Sequence, residues 1–384
     1  MKMERDSRQQ AILDEFRDFV RKEIKPYATE LDAEGKYPTR LIKKLAARKY
    51  LTPTFPQQYG GLALDPIHYG QFIEEIGKAC SNTRTLISIQ TSIIGETILR
   101  WGTESQKKHW LAAIASGEKI AAFALTEPEI GSDARNVQSS YSKRGNEFVI
   151  NGRKKWISFG GLADFFIVVA HNEAGISAFI VEKERKGIKT IRIKGMMAGR
   201  AAHIAEIELR NVQIPQANLL GNEGGGFSFV VNTSLDHGRY SVAWAGIGLA
   251  QAGIEAMVRY ARTRTQFGKK IHNFQLIQGI IGDAVTSVHA ARALCLNAGR
   301  MRIAKNPDAI SETMIAKYFA SRVAVRVASD TIQVHGGDGF CSAYPAERIY
   351  REAKVLEIIE GTTQIHQEFI AKYGLRKYHE KRID

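Results

Sequence analysis

The texture of the sequence changes twice along the chain, and this limits the folds that it can adopt. Near the start, Ile12, Phe16 and Phe19 recur at spacings of four and three, which is typical of an amphipathic helix. From about residue 121 short β-rich runs replace that pattern, and from residue 227 onward long helical patterns return. The order of helices, β module and helices predicts an α+β fold that is mostly α.

The pattern divides the chain into three predicted segments with boundaries near 120 and 225. Residues 1–120 form an N-terminal helical domain, 121–225 a central β domain and 226–384 a C-terminal helical domain. Helices are predicted over Thr39–Ala47, Ile67–Cys80, Thr85–Trp101, Phe227–Arg264, Gln275–Ala304, Ile310–Val334, Ala346–Arg351 and Thr363–Tyr373. Pro26 is expected to weaken the first helix because proline lacks the backbone N–H that a helix needs.

The central segment carries the strand predictions. They fall at Ala121–Leu125, Glu147–Ile150, Lys154–Ser158, Phe165–Ala170, Ser177–Val181 and Ala205–Leu209. Asn151-Gly152 stands between two of these runs, and this dipeptide predicts a two-residue β-hairpin.

Composition excludes several classes of protein. The net charge is +14, which favours acidic partners, but the lysines and arginines are spread along the chain and no nucleic-acid-binding module is recognisable. No apolar run of about 18 residues predicts a membrane span, and the N-terminus lacks a secretory pattern, so a cytoplasmic protein is expected. Three widely spaced cysteines predict neither a disulfide framework nor a metal site.

Common nucleotide and hydrolase motifs are absent from the sequence. There is no phosphate-binding G-x-x-x-x-G-K-[ST], no G-x-G-x-x-G after a strand, no H-E-x-x-H and no G-x-S-x-G. Gly246-Ile247-Gly248 lies inside a helical pattern, where close packing between helices is the expected role.

Five spaced polar motifs remain. They are Phe123–Asp133, Asn151–Ser158, Arg262–Gly268 followed by Phe274-Gln275, Gln333–Phe340 and Ile359–Gln364. A glycine-containing turn with hydroxyl and backbone donors can bind a phosphate or the edge of a planar ring. Taken singly, Trp156 and Phe267 could be packing residues, Arg264 could be a cation at a helix end, and Gly336 and Gly337 could end a helix.

Taken together, the motifs resemble the acyl-CoA dehydrogenase family. T-E-P-x-x-G-S-D, N-G-x-K-x-W-I, R-x-x-F-G, Q-x-x-G-G-x-G and E-G-T occur in the family's order between Thr126 and Thr362. The resemblance implies an N-terminal helical domain, a central β-barrel-like domain and a C-terminal four-helix bundle. It also implies bound FAD, held between the β domain and the C-terminal helices and completed by a neighbouring subunit of a homodimer or homotetramer.

The resemblance also assigns residues to the cofactor. Those implied to bind FAD within one subunit are Phe123, Leu125, Thr126, Ser132, Trp156, Ile157, Ser158, Thr362 and Gln364. Those implied to serve the FAD of the partner are Arg264, Gln266, Phe267, Gln275, Gln333, Gly336 and Gly337.

Glu360 is the predicted catalytic base. The family removes an α-proton from an acyl thioester while a hydride passes to the flavin, and a carboxylate suits this step if burial raises its pKa. In some branches of the family the base instead precedes the arginine that matches Arg239; here that position is Gly238, which leaves Glu360 without a rival. Ser132, Asp236, Arg239 and Gly361 are the residues predicted to bind substrate, although Asp236 and Arg239 could also form an intrahelical ion pair.

The sequence also bears on which branch of the family the chain resembles. Phe123, Ser158 and the segment Leu235–Trp244 depart from the fatty-acid-oxidising pattern. Together with Ala290–Gly299, that segment resembles members that act on small polar acyl groups on acyl carrier protein, in the biosynthesis of hydroxy-, methoxy- or aminomalonyl units for polyketides. Asp236 and His237 would then contact the polar acyl group. The alternatives are a catabolic short- or medium-chain acyl-CoA dehydrogenase, an oxidase or hydroxylase on the same scaffold, and a non-catalytic binding protein. Electron-transfer flavoprotein is the acceptor that the resemblance suggests.

Overall fold

A computed structural model of the chain describes residues 2–379, with side chains from residue 6 onward. The α-helices are α1 Lys2–Phe19, α2 Ala28–Glu34, α3 Thr39–Ala47, α4 Pro66–Ala79, α5 Ser81–Ser88, α6 Glu96–Trp101, α7 Glu104–Gln106, α8 Ala112–Ala115, α9 Asn232–Thr263, α10 Gln275–Ile303, α11 Ala309–His335, α12 Ala346–Leu356 and α13 Thr363–His379. The strands are β1 Ala121–Ala124, β2 Ser140–Arg144, β3 Glu147–Ile157, β4 Phe165–Asn172, β5 Gly175–Glu182, β6 Ile188–Arg192, β7 Ala205–Pro215, β8 Leu219–Leu220, β9 Thr265–Gln266 and β10 Lys269–Lys270. The mostly helical α+β fold is confirmed.

The first helix changes its winding where the proline lies. It passes from α1 into a π-helical turn over Val20–Ile24 and a 3₁₀ turn over Lys25–Tyr27, before α2 begins. Pro26 lies in the 3₁₀ turn. The predicted weakening at this proline is therefore confirmed.

The chain forms two compact units, each made of several segments. The first comprises the chain up to Thr29, Asp65–Arg84 and the chain from Arg239; the second comprises Glu30–Leu64 and Thr85–Gly238. The predicted boundaries near 120 and 225 stay predictions.

The second unit contains one eight-stranded sheet. Its strand order is β6-β7-β3-β2-β4-β5-β8, and β1 pairs in parallel with β4. One face of the sheet packs around fully buried side chains that include Phe148, Phe166, Phe179, Ile207 and Ile214. Alternation of buried and more exposed residues along β7 places one of its faces on this core.

The predicted hairpin at Asn151-Gly152 is wrong. β3 runs through these residues without turning, and its register against β7 shifts between Ile150 and Gly152, which marks a bulge. Neighbouring strands hold the segment extended. The Asn151 side chain accepts a hydrogen bond from the Asn211 N–H at 2.7 Å. The backbone at Gly152 lies so close to Ser139 that a side chain at position 152 would overlap it. The hairpin between β2 and β3 instead turns at Gly145, whose φ is +60°.

Helices build the first unit. α11 packs against α10, α12 and α13, and α4 packs against α1 and α10. A Cβ on Gly246 would lie 2.8 Å from the Ala320 carbonyl oxygen, and one on Gly248 would overlap the backbone of Glu74 in α4. The predicted close packing at Gly246 and Gly248 is confirmed.

One helical stretch, Gly226–Thr263, is long and apolar enough by composition to cross a bilayer. Of its apolar window of 18 residues, 78% is buried by the rest of the protein. Such burial is the pattern of a core helix.

Candidate functional site

Glu360 lies in a tight loop between α12 and α13. Its φ is +56° and that of Gly361 is +97°, so two successive residues adopt backbone conformations that L side chains disfavour. Two cations hold this loop: Arg239 Nε donates to the Glu360 carbonyl oxygen at 3.0 Å, and Lys317 Nζ donates to the Gly361 carbonyl oxygen at 2.7 Å. The strained backbone is thereby fixed by its own carbonyl groups.

The Glu360 carboxyl group is poised for proton transfer. The residue as a whole is partly exposed, but its Oε2 atom is buried and has no hydrogen-bond partner among the described residues. Burial raises the pKa of Glu360 to about 7, and the positive charges of Arg239, Lys317 and Arg84 limit that rise. A carboxyl group with a pKa near neutrality is suited to act as a general base.

Three buried groups beside Glu360 were not predicted. Lys317 is fully buried, and burial lowers its pKa to about 7 against the opposing charges of Glu360 and Glu357. Burial, with the Lys317 charge, lowers the pKa of His366 to about 3, so its ring is neutral near neutral pH. Arg84 is 3% exposed. The one sequence signal for Lys317 is a lysine inside the apolar helical run Met314–Ala320.

The predicted substrate residues fall in different places. Arg239 and Gly361 lie with Glu360, as described above. Asp236 and His237 lie in the first turns of α9, where His237 Nδ1 is 3.9 Å from Glu96 Oε2, and Glu96 accepts a hydrogen bond from the Thr54 hydroxyl at 2.9 Å. Ser132 lies on an exposed loop after β1.

Two of the motif segments predicted to bind flavin are joined by a buried ion pair. Lys154 Nζ lies 2.7 Å from Glu127 Oε1 and donates to the Leu125 carbonyl oxygen at 3.0 Å. The backbone N–H of Lys155 donates to the Thr126 carbonyl oxygen at 2.8 Å. The structure thus brings Leu125 and Thr126 beside the strand that carries Trp156. Glu127 and Lys154 stand inside the motifs, but their pairing was not predicted.

Trp156 presents an exposed ring on this strand. Its side chain is 49% exposed, although it lies near the end of a central strand, and its φ is +62°. The neighbouring Ile157 is buried, and Ser158 follows as the strand ends. An indole held outward beside a hydroxyl can stack on a planar ring and donate a hydrogen bond to its edge.

Five predicted residues line one cavity of about 350 Å³ in the helical unit. They are Arg264, Gln266, Gln333, Gly336 and Gly337, together with Tyr260, Ile271, Val334, His335 and Asp338. A Cβ on Gly336 or Gly337 would meet nothing within 4 Å, so the helix end leaves open space there.

Four other predicted residues do not line this cavity. Phe267 is 93% exposed on the turn between β9 and β10, and Gln275 is exposed at the start of α10. Thr362 and Gln364 lie where α13 begins, and the Thr362 carbonyl oxygen is 3.0 Å from His366 Nδ1.

Each of these two sets of groups, taken by itself, fits one part of FAD. The isoalloxazine requires a flat apolar surface with a donor beside it, which Trp156 and Ser158 offer, and the pyrophosphate requires cationic and hydroxyl donors. The cavity of the helical unit supplies a guanidinium from Arg264, amide groups from Gln266 and Gln333, and a glycine-lined gap.

Comparison with known proteins agrees with this chemistry. Family models of the acyl-CoA dehydrogenase N-terminal, middle and C-terminal domains match residues 6–118, 122–212 and 224–375. The chain is 38% identical to the probable acyl-CoA dehydrogenase YngJ of Bacillus subtilis (strain 168), over 98% of this chain and 100% of that protein.

Solved structures of the family superimpose closely on this chain. One chain in a structure of the electron transferring flavoprotein of Acidaminococcus fermentans superimposes with a TM-score of 0.93 at 36% identity, covering 96% of this chain and 98% of that one. Butyryl-CoA dehydrogenase from Megasphaera elsdenii gives 0.92 at 34% identity, with the same coverage.

Two further structures are similar over nearly the whole chain. FkbI, for biosynthesis of the methoxymalonyl extender unit of a polyketide, gives a TM-score of 0.87 at 29% identity and covers 95% of this chain and 99% of that one. The prolyl acyl carrier protein oxidase AnaB gives 0.89 at 28% identity and covers 96% and 98%. Across all three domains, therefore, the chain belongs to the acyl-CoA dehydrogenase family of FAD-dependent oxidoreductases.

Proposed function

We propose that the chain dehydrogenates a small acyl thioester and that Glu360 is the catalytic base. The observation that carries the proposal is the unpartnered, buried Oε2 of Glu360 in a loop fixed by Arg239 and Lys317. A base that already had a hydrogen-bond donor would have to lose it before it could take a proton. Glu360 has no such bond to break on that atom.

The residues of this chain have separate roles in the proposed reaction. FAD, when bound, supplies a hydride acceptor at N5. Glu360 takes the proton from the α-carbon, and burial keeps its pKa close to neutral pH. The Glu360 N–H is available to donate to the thioester carbonyl oxygen, where negative charge grows in the transition state. Arg239 and Lys317 bind the loop carbonyls and so fix the direction of both groups.

The proposed cofactor residues form two sets. Trp156 and Ser158 hold the isoalloxazine, together with Phe123, Leu125, Thr126, Ser132 and Ile157. Arg264, Gln266, Gln333, Gly336 and Gly337 hold the FAD of a second subunit, in at least a homodimer. Two exposed apolar side chains support this second assignment. Phe267 is 93% exposed on a turn next to the cavity, and Leu276, beside Gln275, is 85% exposed. Exposed apolar side chains of this size mark a surface that another molecule covers.

CoA thioesters are the first candidates for the substrate carrier. Relatives at 34–38% identity include a probable acyl-CoA dehydrogenase and a butyryl-CoA dehydrogenase, whereas FkbI and the prolyl acyl carrier protein oxidase AnaB are 28–29% identical. A carrier-protein thioester is the second candidate, supported by the similarity to AnaB and by the segments Leu235–Trp244 and Ala290–Gly299. Electron-transfer flavoprotein is the proposed acceptor, supported by the Acidaminococcus fermentans structure.

The visible spectrum of the purified protein tests the proposal. A flavin band should bleach under anaerobic conditions when a short acyl-CoA is added. The same acyl group on CoA and on acyl carrier protein, compared side by side, separates the two carriers, and rapid reoxidation by air would indicate an oxidase. A colourless protein that no FAD restores, or a band that no thioester bleaches, would instead favour the non-catalytic alternative.

A further inference from the structure

His366 is a fully buried histidine beside the loop that carries Glu360. It lies in the first turn of α13, and its Nδ1 is 3.0 Å from the Thr362 carbonyl oxygen. A carbonyl oxygen can only accept a hydrogen bond, so Nδ1 carries the proton of this bond. Burial, with the Lys317 charge, lowers the pKa of His366 to about 3, and the ring is therefore neutral near neutral pH. The other ring nitrogen, Nε2, is left with a lone pair and no proton.

The Nε2 atom of His366 is a buried acceptor without a hydrogen-bond partner among the described residues. Buried polar atoms are rarely left in this state, because the hydration that they lose is not replaced. Bulk water does not reach the ring, since the residue is 0% exposed. A donor for Nε2 therefore has to come from a neighbouring side chain or from an ordered water molecule inside the protein.

The Lys317 ammonium group is the donor that the geometry offers. It has three N–H groups and donates one hydrogen bond, to the Gly361 carbonyl oxygen at 2.7 Å, among the residues that the structure describes. His366 contacts the same glycine: its Cε1, the ring carbon bonded to Nε2, lies 3.2 Å from the position that a Cβ on Gly361 would take. The Gly361 carbonyl group also contributes to the pKa of His366. The ammonium group and the imidazole ring thus both lie against Gly361.

We propose that His366 is a positioning residue that acts on the base through Lys317, because its Nε2 lone pair accepts a hydrogen bond from the Lys317 ammonium group by way of one buried water molecule. A hydrogen bond to the charged form of an amine favours that form. His366 thereby keeps Lys317 protonated and directed at the Gly361 carbonyl oxygen, against the burial that lowers the pKa of Lys317. The kinetic consequence rests on the proposed function, since the charge of Lys317 affects the reaction only if Glu360 is the base.

A neutral ring suits this role better than a charged one. A second cation at His366 would repel the Lys317 ammonium group, whereas a neutral acceptor stabilises it without changing the net charge of the site. The charged groups that act on Lys317 are Glu360, Arg239 and Glu357, and those that act on Glu360 are Arg239, Lys317 and Arg84.

Two substitutions separate the roles of the two ring nitrogens. His366→Asn keeps an amide N–H near the position of Nδ1 and removes the acceptor at Nε2, whereas His366→Gln extends an amide oxygen towards the position of Nε2. In His366→Asn we expect the acid limb of kcat/KM to move to higher pH, because Lys317 loses charge and the pKa of Glu360 rises. Below neutral pH kcat/KM should fall by up to about tenfold, the effect of one hydrogen bond to a charged group, and at alkaline pH it should not change.

The conservative variant and a control complete this comparison. His366→Gln should restore the original position of the acid limb at least in part. His379→Asn, the same substitution at the exposed end of α13, should leave the profile unchanged. A uniform loss of kcat/KM at every pH in His366→Asn would contradict the proposal, because a purely structural defect produces that result.

A double-mutant cycle shows whether the effect passes through Lys317. In a Lys317→Met background, His366→Asn should cause no further shift of the acid limb, because the charge on which it acts is already gone. An equal shift in both backgrounds, or no shift in His366→Asn alone, would overturn the proposal.

A crystal structure of the unmodified holoenzyme tests the same contact without turnover. We expect a water molecule within hydrogen-bond distance of both His366 Nε2 and Lys317 Nζ. The absence of any hydrogen-bonded link between these two atoms would contradict the proposal, even if none of the variants folds. Failure of the proposed function is a different result, in which no thioester bleaches the flavin of the unmodified enzyme although the water molecule is in place.

Discussion

The ammonium group of Lys317 donates a hydrogen bond to the Gly361 carbonyl oxygen at 2.7 Å, within the protein interior. The bond joins the middle of α11 to the residue that follows the proposed base. It fixes the backbone at Gly361, whose φ of +97° is unfavourable for residues with an L side chain. It also brings a positive charge to the Glu360 carboxyl group. We therefore interpret Lys317 as a positioning residue.

Replacement of Lys317 by methionine should shift the pH dependence of the reaction. Glu360 must be deprotonated to act, so activity should rise with pH through about 7. Loss of the Lys317 charge raises the pKa of Glu360 further, because Arg239 and Arg84 remain as the cations that limit it. We expect the acid limb of kcat/KM to move to higher pH.

The controls for this variant separate charge from shape. Lys317→Arg keeps the charge and should leave the limb near its original position, whereas Arg322→Gln changes an exposed residue on the same helix and should change nothing. An unshifted profile in Lys317→Met would show that the lysine serves folding alone.

Glu360→Gln should abolish turnover and leave FAD bound. The amide keeps the shape of the side chain but cannot take a proton, and general-base catalysis contributes about 10² to 10⁴ in rate. Glu368→Gln is the matched control, because Glu368 pairs with Lys372 at the protein surface and has no role in catalysis. Turnover of Glu360→Gln at the unmodified rate would exclude Glu360 as the base.

The same variant should also be more stable above neutral pH. Burial raises the folded-state pKa of Glu360, so the stabilising contribution of its protonated form is present at low pH and is lost as pH rises through about 7. At pH 8 the buried carboxylate is charged, and glutamine removes that penalty, with a gain of up to about 3 kcal/mol in the free energy of unfolding. Urea denaturation of the holoproteins at pH 5 and pH 8 measures this, and a gain that does not depend on pH would contradict the assignment.

Lys154→Met should destabilise the β unit strongly. It would leave Glu127, which is 3% exposed at its side chain, as an unpaired carboxylate in the interior. Breaking a buried pair in this way costs about 3–5 kcal/mol. Arg210→Gln is the control, because its pair with Glu208 lies at the surface and is worth roughly 0–1 kcal/mol. Chemical denaturation compares the two, and equal small losses would show that the buried pair adds nothing.

The sequence predicted the parts of the site that lie in contiguous motifs. Glu360, Arg264 and Gln333 stand in short runs whose residue types already indicate their chemistry, and the structure places the last two around one cavity. Lys317 and Arg84 could not be predicted in this way, because a single basic residue in a helical run does not indicate its partner. Lys317 meets Gly361 across 44 positions of the chain.

The sequence prediction of a hairpin at Asn151-Gly152 failed because pairing with neighbouring strands outweighed the local turn preference. Asn151-Gly152 has the composition of a hairpin turn, but pairing with β2 and β7 on both sides holds the segment extended, and the bulge accommodates the extra residue. The preference of two residues for a turn is small compared with the ladder hydrogen bonds of two neighbouring strands.

Gly248→Ala should destabilise the helical unit because α9 and α4 meet there with no space for a methyl group. A Cβ at position 248 would overlap the Glu74 carbonyl oxygen and lie 2.9 Å from the Lys78 backbone nitrogen. The backbone of a helix cannot move aside as a flexible side chain can, so α4 would shift and strain the bond from Arg292 to Glu74, now 2.6 Å. Overpacking of this kind costs about 1–3 kcal/mol.

Gly374→Ala, the same substitution in α13, should instead stabilise the protein. Gly374 lies in α13, and a Cβ at this position would meet nothing within 4 Å, so alanine should stabilise the helix by about 0.5–1 kcal/mol through its better helix propensity. Urea denaturation of both variants in the FAD-bound form gives the two free energies. If Gly248→Ala were as stable as the unmodified protein, the close approach of α9 and α4 at this glycine would be wrong. A loss confined to Gly248→Ala would show that glycine is required there by contact and not by helix propensity.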